Sequence, residues 1–446
     1  MNTFLGIQEL PDRAQKFVMK VFYSTMILGL FWTLSSAFFA LFVIDLVGIE
    51  LLGVLIAVSF VLQALLDYPS GAFGDWIGQR WILFTGFFLE AIAYISLFFA
   101  DSFSTLLIAY ILKAIAASQQ SGAIDTWFDN NYKVVADKSD PERKIYKFLS
   151  GRWTAIGNIV PGIATALGGI LATIFYRQAV FLIQAAGLAL FAIVFLIIVR
   201  DFPGIERPRR SITNYFKLLG GGLHFAFFNK TMLFFLLGLC FSSTVVIVWV
   251  EMMLFPVYLS YTGSDGGVGL MRLVILLLGS VSIFLASKVA VNMEITWIPS
   301  LTFIDTVLFY WGVAILTTWF PLDTNTFNPL AIFSFMLFYT PIYFFHGLKM
   351  ILNSRFFLDS IPDQNRNSIY SLIPTLLLIT SAPVAIIGGS LIKNLGISTT
   401  AFILGSMGII SVFFFTLSMR FKPTEGSSEN IKINFGTNEV ASFTEQ

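Results

Sequence analysis

Stretches of roughly 20 or more predominantly apolar residues, the length needed to cross a bilayer as a helix, recur from one end of this chain to the other. They fall at approximately 17–44, 49–70, 82–100, 103–127, 148–175, 178–199, 231–261, 269–287, 295–320, 328–353, 367–392 and 398–419. Continuous runs of this length favour helices over barrel strands, which are short and alternate in polarity. Of the 446 residues, 57% are hydrophobic and 12% charged, whereas a soluble domain carries about 25% charge. The expected fold is therefore all-α and integral to a membrane, with about twelve transmembrane helices.

Lys and Arg are retained on the cytoplasmic side of short loops. Of the 27 cations, only Arg177, Arg272 and Lys393 fall on one side, Lys113 lies inside a span, and the rest fall on the side of the two termini. This predicts a multi-pass protein of the plasma membrane with both termini cytoplasmic. The first apolar run is longer than a secretory leader and lacks a small-x-small cleavage site, so it reads as a retained helix. A single cysteine, Cys240, precludes an internal disulfide or a cysteine-based zinc cluster. The net charge of +1, spread over loops, gives no groove for nucleic acid.

The longest polar interruption divides the chain into 1–200, a six-helix bundle, and 230–420, a second one, with a central loop at 201–229 whose second part is apolar enough to lie in the interface as a short helix. The tail 421–446 is polar and is expected to be disordered. The two halves repeat weakly. Pro141 to Tyr146 before the fifth span matches Pro362 to Tyr370 before the eleventh, Pro161 with Gly168-Gly169 matches Pro383 with Gly388-Gly389, and Glu90 in the third span matches Asp305 in the ninth.

Between the second and third apolar runs lies Asp67-Tyr68-Pro69-Ser70-Gly71-Ala72-Phe73-Gly74-Asp75-Trp76-Ile77-Gly78-Gln79-Arg80. Its Gly-x3-Asp-x2-Gly-x-Arg pattern, through Gly71, Asp75, Gly78 and Arg80, resembles the loop between helices two and three of the major facilitator superfamily of transporters. Trp76 and Gln79 stand where that family usually has basic residues. The resemblance implies two six-helix bundles rocking about a central cavity, with Asp75 helping to lock the cytoplasmic gate. Arg366, in a segment that resembles the family's approach to helix eleven, and Asp125, near the cytoplasmic end of the fourth span, are expected to join that gate.

Ionisable groups at membrane depth are expensive and mark function by default. Lys113, mid-way along the fourth span where the family usually has Arg, is a candidate with Gln120 on the same helical face. Asn158 contributes to a modest polar face on the fifth span, whose Gly and Pro content loosely resembles that of the superfamily's proton antiporters. The tenth span carries Tyr339, Tyr343 and His346 along one face, and the resemblance places that helix at the cavity. Lys349 and Asn353, further along, are expected to reach for the cytoplasmic interface. Glu251, in the outer half of the seventh span, is the favoured proton carrier; Glu90 and Asp305 are secondary candidates, expected to be paired or neutral.

The chain lacks the Gly-x4-Gly-Lys-Ser/Thr loop of an ATP-driven pump. Asp125 and Asp129 are its closest approach to an enzyme's acid pair, without a second acidic cluster to hold magnesium. No enzyme activity, cofactor or metal is expected. The reading is a monomeric secondary transporter working by alternating access, a proton-coupled exporter of a small, partly apolar compound; the alternatives are proton- or ion-coupled uptake and a non-transporting receptor.

Overall fold

The computed structural model describes residues 2–136, 139–141, 143–146, 149, 153, 159–198, 227–322, 326–360 and 363–421, without the side chains at 68, 71–76, 126, 197–198, 358–359 and 363–371. All regular structure among them is helical. In chain order the elements are α1 (Asn2–Leu5), α2 (Asp12–Trp32), α3 (Phe39–Ile77), α4 (Gln79–Phe98), α5 (Phe103–Gln120), α6 (Ala123–Ala136), α7 (Ile159–Ile174) and α8 (Arg177–Ile198), followed by α9 (Lys230–Val248), α10 (Leu254–Thr262), α11 (Asp265–Ala290), α12 (Ile298–Thr302), α13 (Phe309–Trp319), α14 (Pro329–Ser360) and α15 (Asp363–Arg420). The tail and nearly all of the central loop lie outside the described residues.

Polar caps start the helices where the chain turns back. The Asn229, Ser264 and Asn328 side chains accept from the N–H of Met232, Gly267 and Ala331 at 3.1, 3.1 and 3.0 Å, satisfying donors that have no intrahelical partner. Eight stretches are long and apolar enough to cross a membrane, fewer than the twelve apolar runs. One of the eight, Leu372–Arg420, is 49 residues long and holds the expected eleventh and twelfth spans, joined at Gly396, whose φ of 77° breaks the helix. In α5, Lys113, Gln119 and Gln120 dilute the apolar content, and α7 is only 16 residues long.

Two π-helical turns interrupt the C-terminal helices. Trp249–Met253 joins α9 to α10, and Phe303–Leu308 joins α12 to α13. They contain Glu251 and Asp305.

The halves of the chain pack through α7 against α11 and α3 against α15. The glycine pairs of the sequence repeat sit at these crossings. A Cβ on Gly168 would fall 1.5 Å from the Leu34 carbonyl oxygen, in its own half, while one on Gly169 would fall 2.2 Å from that of Asp265, in the other. Gly388 and Gly389 repeat the arrangement against Val248 in their own half and the Ile49 carbonyl in the other, at 2.9 and 2.8 Å. Only a residue without a Cβ allows backbones this close.

Polar contacts reinforce that junction. Arg177 binds Asp265 through two bonds of 2.8 Å and also pairs with Asp45. Lys393 pairs with Glu50, and the Gly266 N–H donates to Thr173 Oγ1 at 2.9 Å. All of these cross-half contacts lie at one end of the helices.

Candidate functional site

A first cluster forms between α4 and α5. Lys113 Nζ donates to the Tyr94 hydroxyl at 2.9 Å and lies 4.0 Å from Glu90 Oε1. It also sits over the Tyr94 and Phe39 rings, at 4.4 and 5.0 Å from their centroids. Glu90 accepts from Gln120 Nε2 at 2.8 Å; both are buried, and Gly86 leaves room for the Gln120 side chain beside α4. Lys113 is thus stabilised by one carboxylate and two aromatic faces, which offset its removal from water.

A second cluster has the same plan in the C-terminal half. Asp305 pairs with Lys349, and His346 Nδ1 lies 3.0 Å from Asp305 Oδ1. Lys349 Nζ also donates to Ser242 Oγ at 3.3 Å. Contrary to the expectation that it would reach for the interface, Lys349 is buried, because Asp305 supplies a counter-charge at depth. In both halves an acid on the third expected span meets a lysine on the fourth.

Beside the second cluster is a cavity of about 140 Å³ lined by Trp249, Arg272, Asp305, Phe309, Tyr310, Tyr339, Tyr343, His346 and neighbouring aliphatic residues. Trp249 Nε1 lies 3.4 Å from the Tyr339 hydroxyl, and the Tyr339 and Tyr343 rings meet edge to face at 5.0 Å. Tyr310 donates to the Val245 carbonyl at 2.7 Å, so its hydroxyl is already engaged. A predominantly apolar cavity of about 370 Å³ lies between α9 and α15, walled by Leu233, Cys240, Phe241, Leu376 and Pro383 among others, with Thr244 and Thr380 as polar members.

Glu251 sits on a π-helical turn that packs against α3 of the N-terminal half. Its side chain is exposed, and its charge acts on Lys113 and Tyr110 of the N-terminal half. The π-helical turn that carries it has a wider backbone ring than an α-helix, a feature frequent at functional sites.

The gate residues are only partly described. Gly78 ends α3 with a φ of 99° and starts α4, and Arg80 donates to the Leu196 carbonyl. Asp125 is exposed, with no ion pair to a described residue. The charge cluster near it is instead Asp129 with Lys133 and Arg143. Next to that cluster, burial alone would raise the Asp140 carboxyl, yet the Tyr146 N–H, the Tyr132 hydroxyl and the Ile145 N–H hold it below the usual carboxylate range, at 2.9, 2.8 and 3.1 Å. The side chains of Asp75 and Arg366, all of Asn158, and any side-chain account of Gly71 lie outside the described residues.

Four of the lining residues named above escaped the sequence reading: Arg272, Trp249, Phe309 and Tyr310. Arg272 has a visible signal, a cation within an apolar run, but the start of that run near 269 puts it beside the loop. Trp249, Phe309 and Tyr310 had none, since aromatic residues fill every span.

The family profile described as Major Facilitator Superfamily matches residues 21–372. Among solved structures, the nucleoside transporter NupG superposes with a TM-score of 0.69 at 14% identity, covering 92% of this chain and 100% of that one. A POT family transporter in complex with 5-aminolevulinic acid gives 0.67 at 15% identity, covering 94% and 100%. An auto-inhibited POT family peptide transporter gives 0.68 at 11%, covering 90% and 96%. No individual curated protein matches the chain. Identities this low carry the fold alone, whereas the profile spans well over half of the sequence. The chain is a multi-pass membrane transport protein and belongs to the Major Facilitator Superfamily.

Proposed function

We propose that this chain is a monomeric, proton-coupled secondary transporter of the plasma membrane that exports a small, partly apolar compound by alternating access. The observation that carries the coupling is the position of Glu251. It is exposed, lies on a π-helical turn next to the cavity-lining Val250, and acts electrostatically on Lys113 across the junction of the halves. A carboxylate facing a lysine across a moving junction favours the charged form when the halves are close and the protonated form when they part. Proton binding and rocking are then linked.

The apolar cavity along α9 and the aromatic wall around Tyr339 and Tyr343 support a partly apolar solute. With both termini cytoplasmic, the end closed by Arg177, Asp265, Glu50 and Lys393 is the outer face, and the conformation is inward-facing. The glycine and proline content of the fifth span, close-packed through Gly162, Gly168 and Gly169, supports export.

The test uses proteoliposomes. Substrate flux driven by an imposed pH gradient is compared with downhill exchange without one, in the parent and in Glu251→Gln. Loss of driven flux with exchange retained is expected. Equal retention of both excludes Glu251 as the coupling group, and driven flux running only inward overturns export.

A further inference from the structure

The second cluster leaves one charge unaccounted for. Asp305 is matched by Lys349, with His346 at its other oxygen. Arg272, two turns into α11, lines the same cavity, and among the described residues no carboxylate pairs with it; its neighbours are the phenols of Tyr258, Tyr339 and Tyr343. A guanidinium held among aromatic rings at membrane depth is costly without an anion, and none of the described residues supplies one. We propose that Arg272 binds the anionic group of the solute, and that the substrate is a small organic monocarboxylate on an aromatic or branched apolar body. This rests on the transporter reading above and names the solute of that site.

Chemistry and size agree. The planar fork of an arginine matches the two oxygens of a carboxylate. The tyrosine hydroxyls of Tyr339 and Tyr343 can add further donors, while Trp249 and Phe309 offer faces to an apolar body. A cavity of about 140 Å³ has room for roughly five waters at about 30 Å³ each, enough for a carboxylate and a small hydrocarbon group. One unmatched cation balances one negative charge. A dianionic phosphate would bring a second charge with no counter-ion, since Lys349 is committed to Asp305.

The experiment measures ligand-induced shifts in the thermal unfolding of the purified full-length protein, using matched probes. Phenylacetate is compared with phenylacetamide, isovalerate with isovaleramide, and phenyl phosphate with phenylacetate. The carboxylates are expected to stabilise and their amides not to. Arg272→Gln is expected to weaken carboxylate binding at least tenfold and Arg272→Lys to restore part of it. Amides that bind as well as their carboxylates overturn the proposal, as does undiminished carboxylate binding in Arg272→Gln. Tighter binding of phenyl phosphate overturns the monoanion assignment. If Arg272→Gln does not fold, the matched pairs on the parent protein decide. Flux driven by a pH gradient is read separately. Driven flux without carboxylate preference removes the anion site and keeps the transporter, and carboxylate binding without driven flux does the reverse.

Discussion

Asp305 and Lys349 form an ion pair in which the carboxylate side chain is 6% exposed and the ammonium side chain 7%. At this depth neither charge has water to fall back on, and each is tolerable only because of the other. Truncating one partner of such a pair destabilises by about 3–5 kcal/mol, because the survivor is left buried and unmatched. Lys349→Met is therefore expected to lower thermal stability by that order, and the double variant Lys349→Met with Asp305→Asn to recover most of the loss. A single variant as stable as the parent, measured by thermal unfolding in detergent, would contradict the pair's structural role.

Lys113 differs in exposure, at 25% of its side chain against 7% for Glu90. Its tie to Glu90 is long, and its field is shared with Glu251. Lys113→Met, which keeps the apolar length, is expected to leave insertion intact and reduce transport at least tenfold, with Lys113→Arg retaining part of it. Parent-like flux in the Met variant would reduce Lys113 to a packing residue.

The closed end of the molecule depends on glycine. In Gly169→Val the new side chain would meet the Asp265 carbonyl, where even a Cβ falls 2.2 Å away, and the halves must part there. In a Cys240→Ser background, a cysteine placed at Ala172, which is buried one turn along α7 from Gly169, is expected to label slowly in the parent and several-fold faster with Gly169→Val. Equal labelling rates would show that the crossing can absorb the added bulk.

Asp140 gives a pH signature outside the membrane. Its carboxyl is held low in the folded state by the Tyr146 and Ile145 N–H groups and the Tyr132 hydroxyl. A group depressed in this way stabilises above its unfolded pKa of about 3.9, and the contribution is lost as pH falls through the lower folded value. Local protection of residues 140–146 against hydrogen exchange should be flat from neutral pH down to the ordinary carboxylate range and then decline. In Asp140→Asn, protection should be lower by about 1 kcal/mol at neutral pH, the size of one such bond set to a charged acceptor less what the amide retains. Protection in that variant equal to the parent's at neutral pH would rule the cap out.

Much of this was legible before any coordinate. Hydropathy gives the membrane and the helices because backbone satisfaction in lipid leaves few alternatives. Glu90 and Asp305 were legible as matching acids at depth. Their partners were less so. Lys349 lies far enough along α14 to be mistaken for an interfacial lysine, and only the fold brings Asp305 to it. Arg272 was hidden by four residues of boundary. The apolar run begins near 269, which leaves Arg272 at the membrane edge, but Ser264 caps the helix and α11 starts at Asp265, which carries Arg272 two turns inward. The π-helical turns at Glu251 and Asp305 leave no mark in residue type, since they arise from how neighbouring helices seat the chain.

At the two crossings where Gly169 and Gly389 meet the opposite half, main chain rests on main chain. Main-chain contacts have no rotamers to unlock, so at these points the halves can roll with less reseating than where Gly162 of α7 takes the Leu273 and Leu276 side chains of α11. The resistance to motion is then concentrated in the few charged clasps at the rim, Arg177 with its two aspartates and Lys393 with Glu50. Friction and latch are assigned to different parts of the molecule, and the strength of the latch can change without roughening the bearing.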